Sequence, residues 1–176
     1  MKQFFKNLWE TLETIIIAGV IVFFVRTFIV QPFLVSGASM EPNFSGGNYL
    51  LIDEVTYRFQ KPQRGDVVVF RYPGDNKTFY IKRMIGLPGE RLIIKDGKVS
   101  ADDKILQESY LTDTVKTLGN IDRLLGQDEF FVLGDNRYYS FDSRQWGILP
   151  RKNIVGLVRL RLFPLNKLEL FKSLTY

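Results

Sequence analysis

The stretch from Leu8 to Val30 is the one part of the chain whose apolar content suits a bilayer span, and it divides all that follows. Its strictly uncharged run, Thr14 to Val25, is short against the roughly 20 residues that a span needs. The flanks extend it. Leu8 and Trp9 precede the run, Phe28, Ile29 and Val30 follow it, and Arg26 lies near enough to one end for its guanidinium to snorkel to the interface. Pro32 then ends the helix by removing a donor and crowding the preceding turn. Lys2 and Lys6 predict that residues 1–7 stay cytoplasmic, that 8–30 form a single transmembrane anchor in the cell membrane, and that 31–176 lie outside the cytoplasm. A cleavable signal peptide would also show lysines, an apolar run and small residues such as Ser36 and Ala38. Arg26 interrupts that pattern and the small residues lie too far beyond Val25, so a retained anchor is the expectation.

Beyond residue 44 the period switches to two. "NYLLID", "GDVVVFRY", "TFYIKRMIG", "ERLIIKDGKVS" and "NIVGLVRLRLF" read as strands, separated by turn signals at "PQRGD", "YPGDN" and "KDGK". Asp96-Gly97 between two such runs predicts a two-residue hairpin. Residues from about 96 to 128 are polar and irregular and read as a small insertion or flap. In "LVRLRLF", Arg159 and Arg161 alternate with apolar residues, as on the outer face of a strand. The expected fold is therefore mostly β, a single β-rich domain behind an N-terminal transmembrane helix.

A chain of 176 residues without Cys or His has no Cys/His zinc site, no thiol nucleophile, no histidine base and no disulfide. No metal or cofactor is expected. The net charge of +5 is spread along the chain and forms no basic tail, which fits attraction to an anionic lipid surface better than nucleic-acid binding.

Chemistry must then come from Ser, Thr, Tyr, Lys, Arg or carboxylates. "FLVSGASMEPN" sets Ser39 on a Gly/Ala-rich turn after the apolar segment. A carboxylate is too weak a base to take a serine proton at neutral pH unless strongly perturbed. A lysine stripped of water is better, because desolvation disfavours its ammonium form. In "FYIKRMIGLPGE", Lys82 would share a strand face with Tyr80 and Met84, an apolar setting, although a lone lysine there also reads as a surface residue on an edge strand. "LGDNRYYSFDSRQWG" gathers Asp135, Asn136, Arg137, Ser140, Asp142, Ser143 and Arg144 among Tyr138, Tyr139, Phe141 and Trp146. Aromatics interleaved with charges suit a buried polar network better than a solvated loop.

Together the anchor, "SGASMEPN", "RGDVVVF", "YIKRMIGLPGE" and "GDNRYYSFDSRQWG" resemble the bacterial type I signal peptidases, membrane-bound serine proteases with a Ser-Lys dyad, and the short single-span chain resembles their Gram-positive type. The resemblance implies that Ser39 is the nucleophile, Lys82 the general base and Ser140 the residue orienting the lysine amine. It also implies supporting ion pairs between Asp142 and Arg144 and between Asp135 and Arg83. The oxyanion hole would use the Ser39 N–H, with Gly37 standing where some relatives carry a serine hydroxyl as second donor. Phe33, Val35, Phe44, Tyr80 and Ile81 would line shallow pockets for small residues of secretory preproteins, the implied substrates. Met40 would pack on lipid or on the dyad.

Two other readings share some of these features. A Ser-Lys autoprotease of the self-cleaving repressor type has the same dyad logic but lacks the anchor and the "GDNR" segment. A membrane-tethered binding module with an inert dyad would be expected to have lost Ser39 or Lys82, and both are present.

Overall fold

The computed structural model describes residues 2–28 and 30–171, with the side chains of residues 2, 3, 5, 8, 21–28 and 30 outside the description. Helix α1 (Lys2–Phe28) leads into β1 (Val30–Leu34), β2 (Tyr49–Asp53), the single turn α2 (Thr56–Phe59), β3 (Val67–Arg71) and β4 (Phe79–Gly86). Next come β5 (Arg91–Lys95), β6 (Lys98–Ala101), β7 (Lys104–Ile105) and β8 (Ile121–Leu124). Then follow β9 (Glu129–Leu133), the short α3 (Ser143–Trp146), β10 (Leu149–Pro150), β11 (Ile154–Phe163) and β12 (Glu169–Leu170). The large sheet runs β1-β2-β11-β3-β4-β9-β10 with β12 beside β11, and a four-stranded sheet runs β7-β6-β5-β8.

The continuous apolar run "VVVF" of β3 follows from its place inside the large sheet, where both faces are covered. Val67 and Val69 join one core with Val35, Met40, Phe44, Leu50, Ile52 and Val158. Val68 and Phe70 join another with Met84, Phe130, Val132 and Leu149. Each such side chain contributes roughly 1.5–3 kcal/mol by leaving water. Pro32 is accommodated because β1 is an edge strand, where a missing N–H breaks no ladder bond on the open side.

Three expectations change here. Among the described residues no helix is long and apolar enough to cross a membrane, so the single transmembrane helix expected over 8–30 does not emerge from the fold. Glu10 and Glu13 lower the hydropathy of the first half of α1. The residues that lengthened the uncharged run, Leu8, Arg26, Phe28, Ile29 and Val30, lie outside the described side chains or residues. Second, β5 and β6 form the hairpin expected at Asp96-Gly97, but the rest of the stretch to 128, expected to be irregular, contains β7 and β8, which complete the small sheet. Its hairpin turns at Asp96 and Gly97, with φ 53° and 79°, the left-handed pair that a two-residue turn requires. Third, Arg161 is buried and not on an outer face. β12 pairs with β11 over it and supplies Glu169 as its ion partner. Its Nε donates to the Lys167 carbonyl at 2.9 Å and its Nη1 to the Asn43 carbonyl at 2.8 Å. Arg159 lies beside it, with Nε 3.1 Å from Asp53 Oδ2.

Candidate active site

Ser39 sits on the loop between β1 and β2, in a turn closed by the Glu41 N–H donating to the Ala38 carbonyl at 3.2 Å. Lys82 sits on β4, opposite Val68 of β3, and is only 3% exposed. The two side chains meet. Lys82 Nζ donates to Ser39 Oγ at 2.7 Å and to the Ile81 carbonyl at 2.9 Å, and it lies 5.4 Å from the centroid of the Tyr80 ring. Burial pulls the lysine pKa down from 10.5 to about 8, against the opposing pull of the Asp142 and Asp135 carboxylates. A serine hydroxyl bonded to an amine that sheds its proton near pH 8 is a unit capable of nucleophilic attack with proton transfer.

The turn between β9 and α3 packs behind Ser39. A Cβ on Gly134 would lie 2.4 Å from the Ser39 carbonyl oxygen and 2.2 Å from Ser140 Oγ, so only glycine lets the segments approach this closely. The Asn136 N–H donates to the Ser39 carbonyl at 3.1 Å and its Nδ2 to the Ala38 carbonyl at 3.0 Å. Asp135 and Arg83 form a buried two-pronged pair, Nε to Oδ1 at 2.8 Å and Nη2 to Oδ2 at 2.6 Å, and Asn43 Nδ2 adds a bond to Oδ2 at 2.8 Å. The guanidinium of Arg83 also stacks 3.9 Å from the centroid of Tyr110. Asp142 and Arg144 pair the same way, at 2.8 Å for each prong, while Asp142 caps α3 and accepts the Gly134 N–H at 3.0 Å. Arg137 ties this turn to the insertion through Glu108, Thr117 and Tyr110.

Ser140 is buried in this wall, yet among the described residues its Oγ has no hydrogen-bond partner, so the bond to Lys82 expected of it is not formed. Ile81 and Ser39 hold the amine instead.

A cavity of about 360 Å³ opens beside the pair. Phe33, Val35, Gly37, Tyr80 and Ile81 line it together with Ser39 and Lys82. Phe44, expected there as well, is a core residue instead, 1% exposed, with its ring 4.7 Å from that of Phe171. A helical-type bond from its N–H to the Met40 carbonyl turns the chain inward at this point. Met40 is buried with its sulfur accepting the Asp135 N–H at 3.5 Å, facing neither lipid nor solvent. Leu34, Ala38, Phe79, Tyr139 and Phe141 are also in the cavity wall. The last two were visible in the sequence as aromatics interleaved with charges, but nothing there said which way they faced.

A family model described as "Signal peptidase, peptidase S26" matches residues 8–163. Signal peptidase I of Leptolyngbya laminosa is 35% identical over 169 residues, covering 92% of this chain and 82% of that one. Signal peptidase I P of Bacillus subtilis subsp. natto is 36% identical over 174 residues, covering 93% and 94%. A crystal structure of a signal peptidase I from Enterococcus faecalis is 30% identical with a TM-score of 0.49, covering 56% of this chain and 97% of that one. The chain therefore belongs to the signal peptidase family, peptidase S26.

Proposed function

We propose that this chain is a membrane-anchored serine endopeptidase that removes N-terminal signal peptides from secretory preproteins, with Ser39 as nucleophile and Lys82 as general base. The observation that carries the reading is the 2.7 Å bond between a buried lysine amine and a serine hydroxyl beside an open apolar cavity. Neutral Lys82 takes the proton as Ser39 Oγ bonds to the scissile carbonyl carbon. The oxygen of that carbonyl becomes an oxyanion facing the Ser39 N–H. Collapse breaks the C–N bond, the departing amine takes the proton from Lys82, and a signal-peptide ester of Ser39 remains. Water then attacks that ester with Lys82 again as base, releasing the signal peptide carboxylate and restoring the serine.

The substrate strand would add beside residues 33–36, its small side chains entering between Phe33, Val35, Tyr80 and Ile81. These apolar walls also exclude water from Lys82. The pairs Asp135–Arg83 and Asp142–Arg144 hold the opposite wall rigid. Cleavage of a preprotein with an Ala-x-Ala site, with the cut mapped by mass spectrometry, tests the reading. Product cut elsewhere, or none, would contradict it.

The proposed Ser140 role is small, because its hydroxyl is not on the amine. Ser140→Ala should lower turnover by at most about tenfold, the value of one neutral hydrogen bond, and should leave stability unchanged or slightly raised by removing an unsatisfied buried oxygen. Loss as complete as in Lys82→Ala, in a folded protein, would give Ser140 a direct chemical part.

For the anchor we propose residues 8–30, with 1–7 cytoplasmic and 31–176 outside. Residues 9–20 of α1 are all exposed, including Trp9, Ile15, Ile16, Ile17 and Val20, which leaves apolar surface for lipid to cover. Protease added to intact spheroplasts should digest the domain. Full protection would reverse the topology.

A further inference from the structure

The proposed reaction needs a hydrogen-bond donor aimed at the oxygen that gains charge, and the peptide group carrying that donor is gripped from the side away from the cavity. Asn136 Nδ2 donates to the Ala38 carbonyl at 3.0 Å, and the Asn136 N–H donates to the next carbonyl, that of Ser39, at 3.1 Å. The Ala38–Ser39 peptide is trans. In a planar trans peptide the C=O and N–H point to opposite sides, so fixing the Ala38 carbonyl toward Asn136 turns the Ser39 N–H away from it. Ala38 and Ser39 line the cavity and Asn136 stands outside it. A hydrogen bond accepted by a carbonyl also polarises its own amide, which strengthens the N–H at the other end.

Asn136 is itself held on both sides. Asp135 is locked by Arg83 and Asn43, and Arg137 by Glu108 and by its Nε bond to the Gly134 carbonyl at 3.1 Å. The Asn136 carbonyl accepts the Tyr139 N–H at 3.1 Å. Its amide is therefore a fixed point against which the nucleophile turn is set.

We propose that Asn136 is a positioning residue for the oxyanion donor, its side-chain amide aiming the Ser39 N–H into the cleft through the Ala38 carbonyl, an inference that rests on the Ser39–Lys82 reading. The side-chain bond, not the bulk of the side chain, carries the effect. Asn136→Ala should therefore lose the effect, and Asn136→Asp should lose at least as much, since a carboxylate keeps the shape of the amide but cannot donate and repels the carbonyl oxygen.

In the full chain purified in detergent and assayed on a synthetic peptide with an Ala-x-Ala site, Asn136→Ala should lower kcat about 10- to 100-fold, short of the loss for deleting an oxyanion donor outright. KM should stay within about twofold of the parent, because the bond matters most when the oxyanion forms. The acid-side midpoint of the pH profile should not move, since Lys82 is untouched. Ser39→Ala, measured alongside, separates the two readings. If it cuts like the parent, the catalytic assignment itself fails. If it is inactive while either Asn136 variant turns over within about twofold of the parent, the Asn136 proposal alone is overturned. A shifted midpoint in Asn136→Ala, which adds no charge, would also overturn it, because Asn136 would then act through Lys82. Should Asn136→Ala not fold, Asn136→Asp decides, and parental kcat in that variant ends the proposal.

Discussion

Ser39→Ala and Lys82→Ala are each expected to lower kcat/KM for signal-peptide cleavage by about 10⁴-fold or more, with the double variant no slower than the worse single one. Members of one catalytic unit fail together, because a nucleophile without its base and a base without its nucleophile are both idle. The 2.7 Å bond makes the two a unit, and the chain offers no histidine or cysteine to stand in for either. Thermal melts of both variants should show a folded domain, since Ser39 lies on a surface turn and alanine at 82 loses only an amine and its stem. A double variant far slower than either single one would mean two independent contributions. Parental cleavage by Ser39→Ala would remove the nucleophile assignment altogether.

Lys82→Met should be inactive and yet, at pH 7, at least as stable as the parent. The folded pKa of Lys82 is about 8 against 10.5 for the unreacted side chain. Below pH 8 the folded and unfolded chains both hold the proton, and the cost of burying the ammonium is fully present. Between pH 8 and 10.5 the unfolded chain binds one more proton than the native one, so parent stability rises with pH, at up to about 1.4 kcal/mol per unit. Across that window the gain is roughly 3 kcal/mol. Methionine has a similar length and no charge, so it never incurs this cost. Against that stand the Ser39 hydroxyl and the Ile81 carbonyl, which lose their partner at about 1–3 kcal/mol where no water replaces the amine. Only the first effect depends on pH. Denaturant unfolding should give parallel curves below pH 8 and a parent that gains on the variant above it, while cleavage by the parent rises with an acid-side midpoint near pH 8. Parallel stability curves up to pH 10.5 would mean that Lys82 carries an ordinary ammonium.

What could be read in the sequence was what period and chemistry express locally. The strands showed themselves because alternation puts one face of "YLLID" inward, and because "VVVF" is too apolar to have an outer face. Ser39 and Lys82 could be paired in the sequence because histidine is absent and because the motifs around them resemble those of a known family, and their side chains do meet at 2.7 Å. Errors came where a distant segment decides what covers a residue. Arg161 has the alternation of an outer-face residue, and only β12 and residues 165–167 bury it. Phe44 was expected in a pocket wall only through the family resemblance, and the turn at Met40 sends it into the core. The outer strands of the small sheet, β7 and β8, are not visible in the sequence because they present few apolar residues, their strand character coming from pairing and not from composition. Asn136 was noticed as one polar residue among several. Its neighbours in space, Ala38 and Ser39, are separated from it by most of the chain.

The order of strands in the large sheet keeps the segments that carry Ser39 and Lys82 apart until a later strand joins them. Ser39 follows β1 and Lys82 lies on β4, so both are synthesised early, in two hairpins, β1–β2 and β3–β4, that can each form as soon as they emerge. Those hairpins do not touch along a strand edge. β11, later in the sequence, is inserted between β2 and β3 and pairs with both, while its Arg161 grips the Asn43 carbonyl just beyond the turn that carries Ser39. The proposed catalytic pair thus comes from two hairpins that precede β11 in the sequence, and β11 brings them into one sheet. Such long-range pairing is slow to form and cannot be anticipated by a partial chain. A chain that stops short of β11 therefore holds both residues of the proposed pair but lacks the strand that joins their hairpins.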